Sequence, residues 1–339
     1  MGKIYSMKSK NEIIFIIRNS RSGTTMLSRI LNNHEQITSF NELHFFNDIV
    51  KKPLLDKITL TSAIDIANKL QNRIDNDVWS KINNSEYTSL SKKVIGDIDE
   101  DMLNSFTVFD AVMNYQRKIN KTRYVLEQTP KNILYYEEII KVYPNAKFVH
   151  IIRDPRAVLA SQKNRWKKYQ RKADNVPLYN ILRTFINYHP FTTLKVWKLV
   201  FKKGVTLRNF KNNYYEIKFE NLILNHEVEL TKLLKYLELD YQSNLNNVPQ
   251  VGSSNLNHKK NKFGLNSAVI NSWILILSKA EKYISARYVN SEVKILGYQD
   301  LKSKFDAFVF LYIAIYPIHI LGVIIINPKI LYRFFKKII

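Results

Sequence analysis

Cysteine is absent from this 339-residue chain. Its absence excludes disulfides and thiolate metal sites and suits a reducing compartment. Glycine and proline are sparse, at 8 and 9 residues, and no Gly/Pro/Ser-rich linker, repeat or low-complexity tract marks an internal boundary. A chain of this length then reads as one large domain with a full core rather than two smaller ones. Acidic residues are also few: 29 Asp and Glu stand against 52 Lys and Arg, a formal net charge of +23. A field of that sign keeps a protein soluble and also concentrates anionic ligands. Nucleic acid is the other partner of a basic chain, but no zinc spacing, RNA-recognition motif or helix-turn-helix pattern occurs here.

Residues 13–31 carry the strongest local signal. Ile13 to Ile17 read as a buried strand, Arg18–Thr25 as a polar turn, and Met26, Leu27, Ile30 and Leu31 recur at helical spacing. A strand, a tight loop and a helix N-terminus in that order build an anion site from converging N–H groups and the helix dipole. The phosphate-loop pattern G-x-x-x-x-G-K-[ST] requires Gly at 18 and Lys at 24, where this chain has Arg18 and Thr24. ATPase or GTPase chemistry is therefore not expected. Arg21, inside the loop, instead offers a fork of donors to a compact oxyanion.

A second strand-to-turn unit follows the same plan. Lys147-Phe148-Val149-His150-Ile151-Ile152 reads as a buried strand, then Arg153-Asp154-Pro155-Arg156 opens a helix whose Ser161 lies two turns beyond Arg153. Pro155 suits the first helical turn, where a missing N–H costs nothing. Together the two segments resemble the sulfotransferase family, whose donor is 3′-phosphoadenosine 5′-phosphosulfate (PAPS). Arg21-Ser22-Gly23-Thr24-Thr25, extended to Met26, is similar to the family's 5′-phosphosulfate loop, and Arg153 with Ser161 to its 3′-phosphate pair. Tyr215–Leu222 with Leu237-Glu238-Leu239 is similar to the family's late strand and helix. Ser253-Ser254, Trp273, Leu277-Ser278 and Leu296-Gly297-Tyr298 are similar to its closing pattern. The resemblance covers about residues 11–300, patchily between 44 and 122, and is best to the branch holding tyrosylprotein sulfotransferases and bacterial enzymes.

The resemblance implies an enzyme that moves a sulfuryl group from PAPS to a hydroxyl, needing positioned donors and no metal. Arg21, the amides of Ser22–Met26 and the hydroxyls of Thr24 and Thr25 would be those donors. Glu42, in Phe40-Asn41-Glu42-Leu43-His44, matches the glutamate that acts as base in tyrosylprotein sulfotransferases. Its alternative reading is a helix cap or surface carboxylate, and His44 is the second candidate base. One position departs: Gln128 stands where the family commonly has a lysine that assists the leaving phosphate. Glutamine donates a hydrogen bond without neutralising charge, so stabilisation there should be weaker. Lys131 reads as a solvated first-turn residue or as a substitute reaching back.

The fold expected is α/β, a P-loop-like parallel sheet flanked by helices, with a helical insertion at 44–122 for the acceptor and a hydrophobic C-terminal tail. Strands are expected near 13–18, 36–40, 123–127, 147–152 and 214–219. Helices are expected near 25–33, 61–74, 99–119, 131–142, 156–172, 177–203, 225–238 and 278–295. Lys163, Arg165, Lys167, Lys168, Arg171 and Lys172 form a basic run that reads as a solvated face or as contacts to the 3′-phosphate or an acidic acceptor. From Ala307 to Ile326 the only strongly polar side chain is His319, and lysines and arginines flank the run on both sides. It is long enough for a hydrocarbon core; the readings are membrane attachment, a re-entrant hairpin at Pro317 and Gly322, or a helix buried against the domain or a dimer. Residues 1–303 would be catalytic and 304–339 membrane-associated. With the first strand beginning at Ile13 and no N-terminal anchor before it, a cytoplasmic catalytic domain is expected. The acceptor expected is a carbohydrate or lipid-linked glycan. A protein tyrosine or small molecule is the rival, and a kinase-like protein or a non-catalytic PAPS-fold membrane protein the reading from another class.

Overall fold

Uninterrupted apolar runs become interior strands of a parallel sheet, which is covered on both faces and needs no alternation. The computed structural model of the chain describes residues 12–19, 21–50, 53–76, 84–170, 177–250, 263–300 and 302–327. Five strands, β1 (Ile13–Arg18), β2 (Ile37–Ser39), β3 (Tyr124–Glu127), β4 (Lys147–Ile152) and β5 (Tyr214–Lys218), lie in the order β2-β3-β1-β4-β5, every pair parallel. All six residues of β1 are buried, as a central strand requires.

The helices in chain order are α1 (Thr24–Asn32), α2 (Leu60–Asp75), α3 (Asn84–Ile95), α4 (Ser105–Asn120), α5 (Tyr136–Val142), α6 (Pro155–Lys163), α7 (Arg165–Gln170) and α8 (Leu178–Ile186). They continue as α9 (Pro190–Leu207), α10 (Phe219–Leu224), α11 (His226–Tyr236), α12 (Trp273–Ile276), α13 (Lys279–Tyr288), α14 (Asn290–Ile295) and α15 (Phe308–Ile326). The chain divides into two compact units, one of Met1–Arg18, Gly23–Ile152 and Lys203–Pro249, the other of Asn19–Ser22, Arg153–Lys202 and Gln250–Ile339.

The first unit holds the sheet. Parallel strands point their carboxyl ends to one edge, so the segments following β2 and β3 emerge beside Arg18. β1 connects to one side of the sheet and β4 continues to the other, which makes the carboxyl edge of β1 and β4 the topological switch point where α/β proteins bind ligands. The 44–122 stretch is helical as expected, with α2, α3 and α4 between β2 and β3. It is welded to the sheet by rings: Phe45 stacks on Phe109 at 4.3 Å, Phe46 meets Phe15 edge-on at 6.2 Å, and Phe15 stacks on Phe148 at 5.6 Å.

In the second unit α6 begins as expected, with Pro155 in its first turn and the Asp154 side chain accepting from the Arg156 N–H at 2.8 Å. Three expected helices are broken. The 278–295 run is interrupted at Val289, the 156–172 run is interrupted at Asn164, and the 177–203 run ends at Ile186 and restarts at Pro190. The residue before a proline is pushed out of the helical region, so the sequence His189-Pro190 forces the break. Three helices that the periodicity did not mark, α3, α10 and the single-turn α12, are also present.

Candidate active site

Two groups of side chains, one in each unit, contain nearly all the expected residues. In the second unit Arg21 adopts a left-handed backbone (φ 75°) that turns the loop after β1. Its Nε donates to the Ser161 hydroxyl at 3.0 Å. Arg153, 3% exposed, donates from Nη1 to the Arg21 carbonyl at 3.0 Å and from Nη2 to the Val269 carbonyl at 3.2 Å. Trp197 Nε1 donates to the Arg153 carbonyl at 3.1 Å, and Asn19 Nδ2 donates to the Trp197 carbonyl at 3.1 Å. Two residues assigned by resemblance to opposite ends of the donor, Arg21 and Ser161, are thus hydrogen-bonded partners. Arg153 also braces the loop backbone. The Ser22 N–H is taken by the Asn19 carbonyl at 3.3 Å, so the loop-amide role expected of it is not open. Its fully buried hydroxyl has no hydrogen-bond partner.

The second arginine of Arg153-Asp154-Pro155-Arg156 is structural. Arg156 pairs with Asp154 at 2.7 Å, donates from Nη1 to the Gln299 carbonyl at 2.8 Å and lies 4.4 Å over the Trp273 ring. In the basic run, Lys163 is tied to Glu281 at 2.6 Å and to the Ile276 carbonyl at 3.2 Å. That lysine is therefore held by a carboxylate, because burial of Glu281 demands a cation. Arg171 and Lys172, Ser253 and Ser254 lie outside the described residues, and so does the Lys168 side chain.

In the first unit Gly23 stands at φ 97° as the N-cap of α1, and a Cβ there would overlap the Phe219 ring. Glycine is required twice over. The first-turn N–H groups of Thr24 and Thr25 have no intrahelical carbonyl to bond. The Met26 N–H, by contrast, donates to the Gly23 carbonyl at 3.1 Å, which removes it from the expected set of loop donors. Thr25 is exposed, whereas Thr24 is fully buried with its hydroxyl unpartnered. Buried hydroxyls without partners cost free energy unless a ligand completes them. Thr24 and Ser22 both carry that signature, which fits a loop built for an anion.

Glu42 is not a cap. It accepts from Arg18 Nη2 at 3.0 Å through Oε1, and its Oε2 lies 3.0 Å from His44 Nε2. The other imidazole nitrogen, Nδ1, is 3.3 Å from Asn47 Oδ1, while Asn47 Nδ2 donates to Asp48. With the amide held in that sense, both ring nitrogens face oxygens, an arrangement that satisfies the doubly protonated ring. Burial opposes that charge, but the Glu42 hydrogen bond and the carboxylates of Glu42, Glu127 and Asp48 outweigh it and raise the His44 pKa above its usual range.

A carboxylate that no motif flagged holds this corner. Glu127, at the end of β3 and 1% exposed, accepts from the Leu43 N–H and the Thr129 N–H, each at 3.0 Å, and from the Thr129 hydroxyl and the Asn132 amide. Burial pushes its pKa up, and those donors pull the other way. Gln128 is buried, and its Nε2 donates to the Phe40 carbonyl at 3.0 Å, so its amide ties the end of β3 to the segment after β2. Arg18 and Glu127 were missed because each also meets a partner far away in sequence, Glu42 and the Leu43 N–H; the only signal was polar side chains ending apolar strands.

A family model described as the sulfotransferase family matches residues 13–243. Among solved structures, the chain is similar to the sulfotransferase domain from the curacin biosynthetic pathway, with 18% identity over 85% of this chain and 98% of that one and a TM-score of 0.51. It is also similar to the sulfotransferase domain from the Synechococcus PCC 7002 olefin synthase, with 18% identity over 80% and 90% of the two chains and a TM-score of 0.50. No curated protein sequence matches the chain.

Proposed function

The chain belongs to the sulfotransferase family, and we propose that it transfers a sulfuryl group from PAPS to a hydroxyl of a carbohydrate or lipid-linked glycan. The observation that carries the donor assignment is the Arg21–Ser161–Arg153 group: two guanidiniums and a hydroxyl, far apart in sequence, gathered around a loop with an unpartnered buried hydroxyl at Ser22. Such a set recognises tetrahedral oxyanions. In this reading Arg153 and Ser161 take the 3′-phosphate, and Arg21, Gly23, Thr24 and Thr25 take the phosphosulfate. The leaving group is a phosphate, so the loop donors stabilise charge that grows on the bridging oxygen. Ser253 and Ser254 belong to the same proposal through the resemblance alone.

Glu42 is the proposed base for the acceptor hydroxyl. Arg18 and His44 hold its carboxylate in one orientation, and the raised pKa of His44 gives the pair a proton to exchange when product leaves. His44 remains the alternative base. The acceptor would reach the 44–122 lobe, where a cavity of about 510 Å³ opens beside α2, walled by Ile58, Leu60, Ile66 and Leu103 and by Asp65 and Lys69. A wall that mixes apolar, hydroxyl and charged side chains suits an amphiphilic hydroxyl donor. The apolar run 307–326 supports an acceptor presented at a membrane.

Incubating the full chain with PAPS labelled in sulfur and membranes from its host tests this reading. Label in a glycan or lipid-linked glycan is the expected result. Label in protein tyrosine or in a small molecule would replace the acceptor, and absence of transfer from PAPS to any fraction would overturn the proposal.

A further inference from the structure

The polarity of α15 is inverted for a helix in water. Its polar side chains Tyr312, Tyr316 and His319 recur at i, i+4 and i+7 and turn inward, where His319 Nε2 lies 3.0 Å from the Thr192 hydroxyl and both tyrosine rings contact His189. The outward side carries Phe308, Leu311, Ile315, Ile318, Leu321 and Ile325, each 42–77% exposed. Water-facing helices show the opposite arrangement, so the medium beyond this face is apolar.

The face does not belong to α15 alone. Leu178, Leu182 and Phe185 follow at i, i+4 and i+7 along α8 and are 69%, 47% and 57% exposed, and no described side chain of α8 is buried. The two helices are joined: the Tyr179 hydroxyl donates to the Ile326 carbonyl at 2.6 Å, Arg183 Nε donates to Asn327 Oδ1 at 2.8 Å, and Asn327 Nδ2 donates to Asn187 Oδ1 at 2.9 Å. The two helices are thus tied together at the Asn327 end, and both leave apolar side chains exposed within the second unit.

Length alone would let α15 cross a bilayer, at about 28 Å for its 19 residues. Its inward contacts argue otherwise. They run from the Tyr312 carbonyl, 3.1 Å from His189 Nε2, through His319 to Asn327, so polar protein lies along the helix for most of its length. A spanning helix would carry the side chains bonded to it, His189, Thr192 and Arg183 among them, into hydrocarbon, where polar and charged groups are costly. A helix lying in the membrane surface keeps them on the protein side.

Charge selects the lipid. Lys302 and Lys304 are exposed just before α15, Lys167 is exposed on α7, and Arg183 stands on α8. Trp166 meets Phe185 edge-on at 5.6 Å, an indole beside the apolar patch as at membrane–water boundaries. We infer that α8 and α15 together form a monotopic docking face that lies in the surface of an anionic bilayer. The inference deepens the membrane contact proposed above and is independent of the sulfuryl donor.

The chain has no cysteine, so single substitutions give unique labelling sites. Leu182→Cys, Ile318→Cys and Ile325→Cys, each carrying a fluorophore, are mixed with phosphatidylcholine vesicles with and without phosphatidylglycerol. Shallow and deep spin-labelled lipids then report depth. The expected result is binding that needs phosphatidylglycerol, with all three labels quenched at the same shallow depth. A Leu182→Cys label left in water while Ile318→Cys reaches the bilayer centre would identify a spanning helix and overturn the inference. Labels shielded without vesicles, together with a dimer in sedimentation equilibrium, would overturn it in favour of a second copy covering the patch. In unlabelled protein, the double substitution Leu182→Glu with Phe185→Glu should weaken vesicle binding at least about tenfold and leave PAPS affinity unchanged. Vesicle binding at the original strength would remove α8 from the face and overturn the two-helix assignment. Loss of PAPS binding by the unsubstituted chain would count against the donor reading alone.

Discussion

The Arg21 Nε donates to the Ser161 hydroxyl at 3.0 Å across 140 residues of chain. A hydroxyl that accepts from a guanidinium keeps its own proton to donate, and the bond to Arg21 polarises it. Arg21 and Ser161, proposed for opposite ends of the donor, are therefore coupled through this bond, and the loss of either alters the other.

Arg153→Ala should weaken PAPS binding by about 2–4 kcal/mol, the loss of a charge-assisted contact to a phosphate. Adenosine 5′-phosphosulfate, which lacks the 3′-phosphate, should lose much less. Because Arg153 also holds the Arg21 and Val269 carbonyls, some loss of both ligands is expected. Calorimetry with the two ligands separates the effects, and equal losses would leave Arg153 as a brace for the loop only.

Glu42→Gln keeps the size of the side chain and removes its basicity. Turnover should fall by roughly 10²–10⁴ with PAPS affinity nearly kept. Steady-state kinetics beside direct PAPS titration measures both. Normal turnover in the variant would hand the proton to His44 or solvent.

Glu127→Gln should destabilise the fold by about 1–3 kcal/mol, because an amide N–H would meet one of the donors the carboxylate now accepts. Urea unfolding reads that loss directly. The segment bearing Leu43 and His44 is the part expected to loosen, which hydrogen exchange at Leu43 would detect.

Two histidines should tilt stability against pH in opposite directions. The His44 pKa is raised in the fold, so its contribution is full below the unfolded value near 6.5 and fades as pH rises through the folded value. His150 is held neutral by burial, with the Arg208 charge adding to the effect, and its pKa is pushed down to about 3. Its contribution is therefore full above about 6.5 and is lost as pH falls toward 3. Melting temperature against pH for the unsubstituted chain, His44→Gln and His150→Gln should show each slope flatten in the matching variant.

Gly23→Ala should cost both stability and donor binding. The left-handed backbone strains any Cβ by about 1–2 kcal/mol, and the overlap with Phe219 adds to that. Thermal unfolding checks the first effect and PAPS titration the second. A variant that retains both would mean that Phe219 can move aside.

Much of this was readable along the chain. The five strands, the Gly23 turn and the α6 start rest on local patterns: an apolar run, a residue that tolerates positive φ, a proline where no N–H is needed. What failed to read was set at a distance. Gln128 reads as a weakened catalytic donor, and only the fold shows its amide bonded to the Phe40 carbonyl; Lys163 reads as a solvated residue or a ligand contact, and only the fold shows Glu281 beside it. A single sequence carries no record of which polar side chains meet.

Composition and strand patterns by themselves determined a basic α/β protein without thiolate metal ligands, because backbone preference and apolar periodicity are properties of short segments, and the two loop motifs carried its resemblance to the sulfotransferase family. Tertiary structure alone decided that Arg21 partners Ser161, that Glu42 is set between Arg18 and His44, and that α8 is tied to α15. Those pairings depend on the order of strands in the sheet and on which helix faces find cover, and both are settled by packing summed over the whole chain.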